Sequence, residues 1–316
     1  MAKKKETAAQ TVKILPPKAD VVFKMLFGDE RNKDILADFL KAILNLPDEE
    51  YENITITDPH LKREQVKDKM GIVDVKLTSK SGKIIHIEIQ VVEQAELPER
   101  VTYYNAKILV TQMKSGNDFD VLKKTITILI TDFNMIDDNQ KYHYMFELLD
   151  RETGAKFTDL IEIHTLELQK IPAETDHTVK YDWLQFLKAE SEEEFDMIAE
   201  SRPAIKQAVA EVKKLSRSER AQMLYDDRQK ALWMQRDIER TALKKGLRQG
   251  IQEGIKEGME KGMEKGMEKG MEKGMEKGIK ERNIEIAKNS IKAGLSIEQI
   301  SQITGLTISE IEKLKK

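Results

Sequence analysis

Two short runs of β-branched residues, close together in the chain, constrain the fold more than any other feature of the sequence. The runs span residues 72–77 and 84–92, and the linker 79–83 between them contains Gly82. Short apolar runs joined by a glycine-containing linker are typical of a β-hairpin. We therefore expect two antiparallel strands joined by a three-residue loop, with Gly82 in the left-handed region.

Each run contains one carboxylate, Asp74 in the first and Glu88 in the second. Side chains alternate between the two faces of a strand, and a three-residue loop places Asp74 directly opposite Glu88. The same register places Lys76 opposite His86. One face should therefore carry Asp74, Lys76, His86, Glu88 and Gln90, and the other should be core, with Val73, Val75, Leu77, Ile85, Ile87, Ile89 and Val91.

Two carboxylates held opposite each other repel, unless a cation lies between them or one takes up a proton. A hard divalent cation, which prefers oxygen ligands, resolves the repulsion. The alternative is a pair of solvated carboxylates on the open face of an antiparallel sheet. The strand pattern alone leaves both interpretations open.

Composition excludes several kinds of protein. The chain has no cysteine, which rules out disulfides, thiolate metal sites and a cysteine nucleophile, and fits a reducing compartment. It has no long apolar run and no apolar segment behind its first residues, so we expect no membrane span, no signal peptide and a cytoplasmic location. The formal net charge is −3, so nucleic-acid binding would need local basic patches.

The rest of the first two thirds mixes helical and strand patterns without a regular alternation. This favours a mixed α/β fold, with a central mixed sheet flanked by helices. Helices are expected at 20–28, 34–46, 98–114 and from 181 onward, and further strands at 125–133, 142–149 and 160–168.

The last third contains a glycine every four residues from Gly246 to Gly278, with five Gly-Met-Glu-Lys units between residues 258 and 277. Four residues turn an α-helix by about 400°, so the glycine row drifts around the axis. Each interior glycine costs on the order of 1 kcal/mol relative to alanine. The segment is either a helix that packs on a partner helix through its small residues and methionines, or a low-complexity spacer.

The C-terminal residues predict a helix at 282–293, followed by two short helices that Ser296 and Thr307 cap at their N-termini. This layout is that of a helix-turn-helix. Glu310 and Glu312 in the last helix are unfavourable near phosphate, so a DNA reader and an interaction module both remain open. We expect four segments: a flexible lead at 1–17, a main domain at 18–235, a repeat helix or linker at 236–281 and a small module at 282–316.

The order of Asp74, a hairpin, Glu88-x-Gln90 and a helix with Arg100 resembles the PD-(D/E)XK nuclease superfamily. More closely, it resembles the recombination-promoting nuclease (Rpn) and transposase family, whose opening signature is similar to residues 20–28. Further similarity at 161–168 and 183–187 extends the resemblance over most of residues 18–316. It implies a PD-(D/E)XK-like fold and a metal-dependent DNA endonuclease associated with recombination or mobile elements.

The resemblance also implies roles for individual residues. Asp74, Glu88 and the carbonyl of Ile89 would hold Mg²⁺, and Gln90 would position the attacking water. The superfamily usually has lysine where this chain has Gln90, and a neutral amide supplies no positive charge. Lys76, on the same predicted face, is available to supply that charge.

Three further side chains have alternative interpretations. Asp20 is either an acidic residue near the metal or the N-cap of the helix at Val21. His86 fits a satisfied strand residue better than a base. Arg100 contacts phosphate or pairs with a local acid such as Glu96.

The sequence therefore leaves two functions open. The first is the endonuclease acting on DNA. The second is a weakly active or inactive nuclease scaffold that acts as a multimerising DNA-binding or regulatory protein. In both, we expect a homo-oligomer formed through the C-terminal helices.

Overall fold

The computed structural model describes residues 13–61, 71–137 and 141–315. The class is mixed α/β, as predicted. The helices are α1 Asp20–Phe27, α2 Lys33–Ile43, α3 Leu97–Val110, α4 Val179–Lys188, α5 Glu192–Ala199, α6 Pro203–Ser216, α7 Glu219–Lys292, α8 Ile297–Thr304 and α9 Ile308–Leu314. The strands are β1 Thr55–Thr57, β2 His60–Leu61, β3 Gly71–Ile72, β4 Val75–Thr78, β5 Ile84–Gln90, β6 Thr125–Thr131, β7 His143–Leu149 and β8 Lys156–Glu167.

Six strands form one mixed sheet in the order β1-β4-β5-β6-β8-β7, while β2 and β3 pair separately. The strands β1, β4 and β5 are antiparallel, β5, β6 and β8 run parallel, and β7 returns antiparallel to β8. The two central strands, β5 and β6, are largely buried because layers cover both of their faces, and they carry buried polar residues among the apolar ones. Every residue of β6 is buried.

The β4–β5 hairpin has the predicted loop and register. The backbone N–H of Ser79 donates to the carbonyl of Lys83 at 2.9 Å, which leaves three residues in the loop. Gly82 has a φ of 90°, in the left-handed region that glycine adopts without strain. Lys76 pairs with His86, as the sequence predicts.

The chain bends at Asp74, directly before β4, and this bend interrupts the alternation. Val75 belongs to the main core, whereas Val73 packs with Ile108 of α3. The prediction that Val73 shares a face with Val75 is therefore wrong, because Asp74 is not part of the regular strand.

Helices cover both faces of the sheet. On one face, α1, α2, α4 and α6 pack over β4, β5 and β6, with Phe27, Phe39 and Trp183 in aromatic contact. On the other face, α3 packs Leu97 and Val101 against Leu129 of β6. The face predicted to carry the polar side chains is thus largely buried under α3, and not open to solvent.

The N-terminal segment is packed where the structure describes it. Residues 1–12 of the predicted flexible lead lie outside the described residues. Leu15 is buried, and its N–H donates to Ser216 Oγ at 2.9 Å. It belongs to a small cluster with Ala221 and Tyr225 in the first turns of α7.

Contacts divide the chain into units at 1–232 and 233–316. In the second unit, the end of α7, α8 and α9 share a small core of Ala287, Ile300, Leu306 and Ile311. Capping boxes begin both α8 and α9, at Ser296 and Thr307. The four predicted segment boundaries stay predictions. None of the described helices has the length and apolarity needed to cross a membrane.

Candidate active site

Asp74 is held by two hydrogen bonds beside the second half of β5. Its Oδ2 accepts the N–H of Ile89 at 2.7 Å, and its Oδ1 lies 2.9 Å from Lys24 Nζ. Only 8% of the residue is exposed. Burial raises the pKa of Asp74, and the Lys24 charge and the Ile89 N–H oppose that rise.

Glu88 lies in the middle of β5, paired with Leu129 of β6, and is 3% exposed. Its Oε1 has no hydrogen-bond partner among the described residues. Burial, and then the charge of Asp74, raise the pKa of Glu88 to about 8. Both pKa values are raised, so at neutral pH and without a cation the pair of acids favours holding a proton, which lowers the repulsion between them.

Two cations from different helices act on this pair. The charges of Arg100 in α3 and Lys24 in α1 both lower the pKa of Glu88, against the effect of burial. Arg100 Nη1 donates to Gln94 Oε1, and no Arg100–Glu96 ion pair occurs among the residues described. Lys24 was not among the predicted site residues. The available signal was its position one helical turn after Asp20, which places both on one side of α1.

Gln90 and Asp20 lie close to the two carboxylates. Gln90 ends β5 and its side chain hydrogen-bonds to Glu88. The charge of Asp20 raises the pKa of Asp74, so these two acids are neighbours. The N-cap of α1 is Ala19, not Asp20, whose Oδ2 lies 2.6 Å from Arg228 Nε.

Lys76 is placed elsewhere. It lies across the hairpin from His86, lowers the pKa of that histidine, and lines a cleft with Asp58 and Lys107. The structure therefore groups Lys76 with this neighbouring cleft, and it groups Lys24 with the carboxylates.

A buried polar chain supports β5 from beneath α3. Asn105 Nδ2 donates to Thr127 Oγ1 at 2.8 Å, and Thr127 Oγ1 lies 2.5 Å from His86 Nε2. The hydroxyl oxygen has a second lone pair as well as its own proton, so it either donates to Nε2 or accepts from it, and His86 Nδ1 has no hydrogen-bond partner among the described residues. Burial, and then the Lys76 charge, lower the pKa of His86 to about 3. His86 is thus a neutral, buried strand residue. Nothing in the sequence pattern singles out Asn105 or Thr127.

Few side chains here could ligate a metal. The described part of the chain contains no group of three or more histidine and acidic side chains arranged to hold an ion. A cation at this site would therefore have Asp74 and Glu88 as its protein side-chain ligands. Hard divalent cations accept two carboxylates plus carbonyl and water oxygens.

Comparison with known proteins supports one assignment. A family profile described as PD-(D/E)XK nuclease family transposase matches residues 17–242. Searches of curated proteins and of solved structures give no match. The matched region contains the whole mixed sheet, both carboxylates and Lys24, and covers well over half of the chain. The chain therefore belongs to the PD-(D/E)XK nuclease family transposases.

Proposed function

We propose that this protein is a DNA endonuclease that uses Mg²⁺, held by Asp74 and Glu88, to hydrolyse phosphodiester bonds. The main support is the buried pair itself. Two adjacent acids with little solvent access, one of which has an unpartnered oxygen, destabilise the fold unless a cation joins them.

The donor set fits Mg²⁺. The Oε1 atom of Glu88 is free of hydrogen bonds to the described residues, and carboxylate oxygen is the ligand type that Mg²⁺ prefers. We further propose the carbonyl of Ile89 as a ligand. When bound, Mg²⁺ supplies positive charge to a phosphate oxygen and lowers the pKa of a water.

The side chains of the protein would orient the reactants. Glu88 gives up its proton as the cation binds, which restores its full charge as a ligand. Gln90, already bonded to Glu88, is placed to hydrogen-bond the attacking water, although a neutral amide cannot remove a proton from it. We propose that Asp20 assists from α1. The predicted role of Lys76 stays a prediction.

A second candidate is a scaffold with weak or no activity that multimerises on DNA or regulates another protein. Two observations favour it. Gln90 supplies no charge, and a row of apolar side chains is exposed along α7. In either case we propose DNA as the partner, a homo-oligomer formed through the C-terminal helices, a role in recombination or mobile elements, and action in the cytoplasm.

A cleavage assay separates the two candidates. Purified protein is incubated with supercoiled DNA and Mg²⁺, alongside Asp74→Asn and Glu88→Gln, which keep side-chain shape and remove one charge each. We expect each variant to cleave at least about 100-fold more slowly, as for loss of a group that stabilises the transition state. Glu99→Gln, an exposed acid on α3, is the control and should cleave as the wild type does.

Equal nicking by the wild type and both site variants would contradict the endonuclease proposal. Omission of divalent cations should abolish cleavage, and cleavage that persists in a chelator would contradict the metal requirement.

A further inference from the structure

We propose that Lys24 is the active-site cation of this protein, contacting a phosphate of the bound DNA in place of the lysine that is replaced by Gln90. This inference rests on the proposed function and adds to it a residue from outside the strand motif. It assigns a chemical role to the one cationic side chain that, among the described residues, directly contacts a carboxylate of the pair.

The geometry places Lys24 between the buried acids and solvent. Its Nζ lies 2.9 Å from Asp74 Oδ1, yet 42% of its side chain is exposed. Asp74 and Glu88 are nearly inaccessible. Among the site residues of α1 and β5, Lys24 is therefore the one whose charge is available both to the metal ligands and to a molecule arriving from solvent.

The charge balance favours an anionic ligand. Asp74 and Glu88, both ionised, contribute two negative charges, which one divalent cation neutralises. Lys24, together with Arg100, whose charge also acts on Glu88, then leaves an excess of positive charge at the site, which favours an anionic phosphodiester. Asp20, one turn earlier on α1, does not cancel it, since Asp20 is paired with Arg228.

Lys24 lines a surface cleft in which its charge is accessible to a ligand. The charged lining residues of the cleft are Lys24, Arg31 and Arg220 together with the acids Asp29, which pairs with Arg31, and Glu30, which pairs with Lys33. A Cβ at position 28 would lie 2.5 Å from the Lys24 carbonyl oxygen, so only glycine fits there. Arg220 has no ion pair with any described residue, and its charge favours phosphate in the same cleft.

Two other cations fit this role less well. Lys76 acts on His86 and lines the separate cleft with Asp58 and Lys107. Arg100 keeps its charge, because the Gln94 amide to which its guanidinium donates is neutral, but that charge acts on Glu88 without a direct contact. Neither forms an ion pair with Asp74 or Glu88 in the described structure.

The test compares Lys24→Met with Lys76→Met, a matched removal of charge at nearly constant side-chain length. With supercoiled DNA and Mg²⁺, we expect Lys24→Met to cleave about 100-fold more slowly. Lys76→Met should lose less activity than Lys24→Met, and Lys41→Met, at an exposed lysine of α2 outside the site, should stay within about threefold of wild type. Lys24→Arg, which restores the charge, should recover part of the rate.

Calorimetric titration with Ca²⁺ alone gives a readout that does not depend on activity. If Lys24 acts on phosphate, Lys24→Met keeps Ca²⁺ binding because both carboxylates remain, but loses Ca²⁺-dependent DNA binding. If Lys24 only holds Asp74 in place, Ca²⁺ binding is lost as well, which overturns the proposal. Retained Ca²⁺ binding also shows that the variant is folded.

The remaining outcomes distinguish this inference from the proposed function. If the wild type cleaves and the Lys24→Met variant cleaves equally fast, only the role of Lys24 is overturned. Loss of cleavage in Lys76→Met but not in Lys24→Met also overturns it, in favour of Lys76. Wild type that does not cleave overturns the proposed function and this inference with it.

Discussion

At the residue scale, burial of the Glu88 carboxyl lowers the stability of the fold as the pH rises. Its pKa is raised to about 8 in the folded chain, from an unperturbed value near 4.5. Between these values the folded state keeps a proton that the unfolded state releases, so the free energy of unfolding falls as pH rises from 4.5 to 8. Under the proposed function, this loss of stability is the cost of keeping a metal ligand at this position.

We therefore expect Glu88→Gln to be more stable than the wild type at pH 9 without divalent cations, by at least about 1 kcal/mol, since each pKa unit corresponds to about 1.4 kcal/mol. Urea unfolding followed by circular dichroism measures the difference. At pH 4 it should be small, and Glu99→Gln should show none at either pH. A Glu88→Gln variant less stable than wild type at pH 9 would contradict the assigned environment of Glu88.

The two carboxylates could be predicted because the information that places them is local. A short loop brings the start of β4, next to Asp74, beside β5 without knowledge of the rest of the chain, whereas the bend at Asp74 and its bond to the Ile89 N–H do not follow from alternation. Lys24 could not be predicted in the same way, since its contact with Asp74 depends on how α1 packs against the sheet. The same is true of Asn105, which reaches Thr127 only because α3 covers that face.

At the element scale, α7 presents apolar side chains that nothing covers in the described residues. They recur every four residues beyond residue 243, and all are exposed. The row is Leu243, Leu247, Ile251, Ile255, Met259, Met263, Met267, Met271, Met275 and Ile279. A period of four advances about 40° around the axis at each step, so the row winds around the helix and does not form a straight stripe. The adjacent glycines would let a second helix approach closely along this winding path.

Truncation at Lys245 should therefore lower the oligomeric mass measured by light scattering, because it removes nearly the whole apolar row. The control is truncation after Ala293, which removes only α8 and α9. It should leave the number of chains in each complex unchanged. The same stoichiometry in the full chain and in both truncations would exclude α7 as the site of association and favour the spacer interpretation.

Most helices and strands could be predicted from the sequence, but the bend at Asp74 could not. The hairpin, the later strands and the C-terminal helices follow from apolar periodicity and capping residues. The bend at Asp74 does not, because Val73, Asp74 and Val75 look like an uninterrupted strand in the sequence. It arises from tertiary contacts: Val73 packs under α3 while Val75 packs into the opposite core.

At the scale of the whole molecule, a second buried polar chain crosses the sheet away from the candidate site. Lys180 Nζ lies 3.0 Å from His143 Nδ1, His143 Nε2 lies 2.8 Å from His164 Nδ1, and His164 Nε2 lies 2.7 Å from Glu162 Oε1. Lys180 can only donate, which fixes the direction of each bond and makes both histidines neutral. Lys124 completes the chain at Glu162 Oε2.

These buried histidines should make the protein acid-sensitive. Burial lowers the pKa of both His143 and His86 to about 3, whereas an unperturbed histidine titrates near 6.5. Between pH 3 and 6.5 the unfolded chain binds more protons than the native one, so stability is lost as pH falls through this range. Glu88 has the opposite effect up to about pH 8, and two histidines outweigh one glutamate below pH 6.5.

We therefore expect the stability of the metal-free protein to be highest at about pH 6.5, where the destabilising effects of the histidines at lower pH and of Glu88 at higher pH are balanced. Urea midpoints measured from pH 4 to 9 test this. His143→Gln should flatten the acid side and Glu88→Gln the alkaline side. A curve without a decline between pH 6.5 and 4 would contradict the burial of the histidines.

The length of the loop between β4 and β5 has a consequence for how this family can change. Because the side-chain period of a strand is two, the loss or gain of one residue in segment 79–83 would shift the pairing of β4 with β5, and so move Asp74, directly before β4, away from the Ile89 N–H, unless a bulge compensated. Both acids would still be present in the sequence, and a search for the motif would still find them. Under the proposed function, we therefore expect a relative with an altered loop to have lost activity even though it keeps both acids.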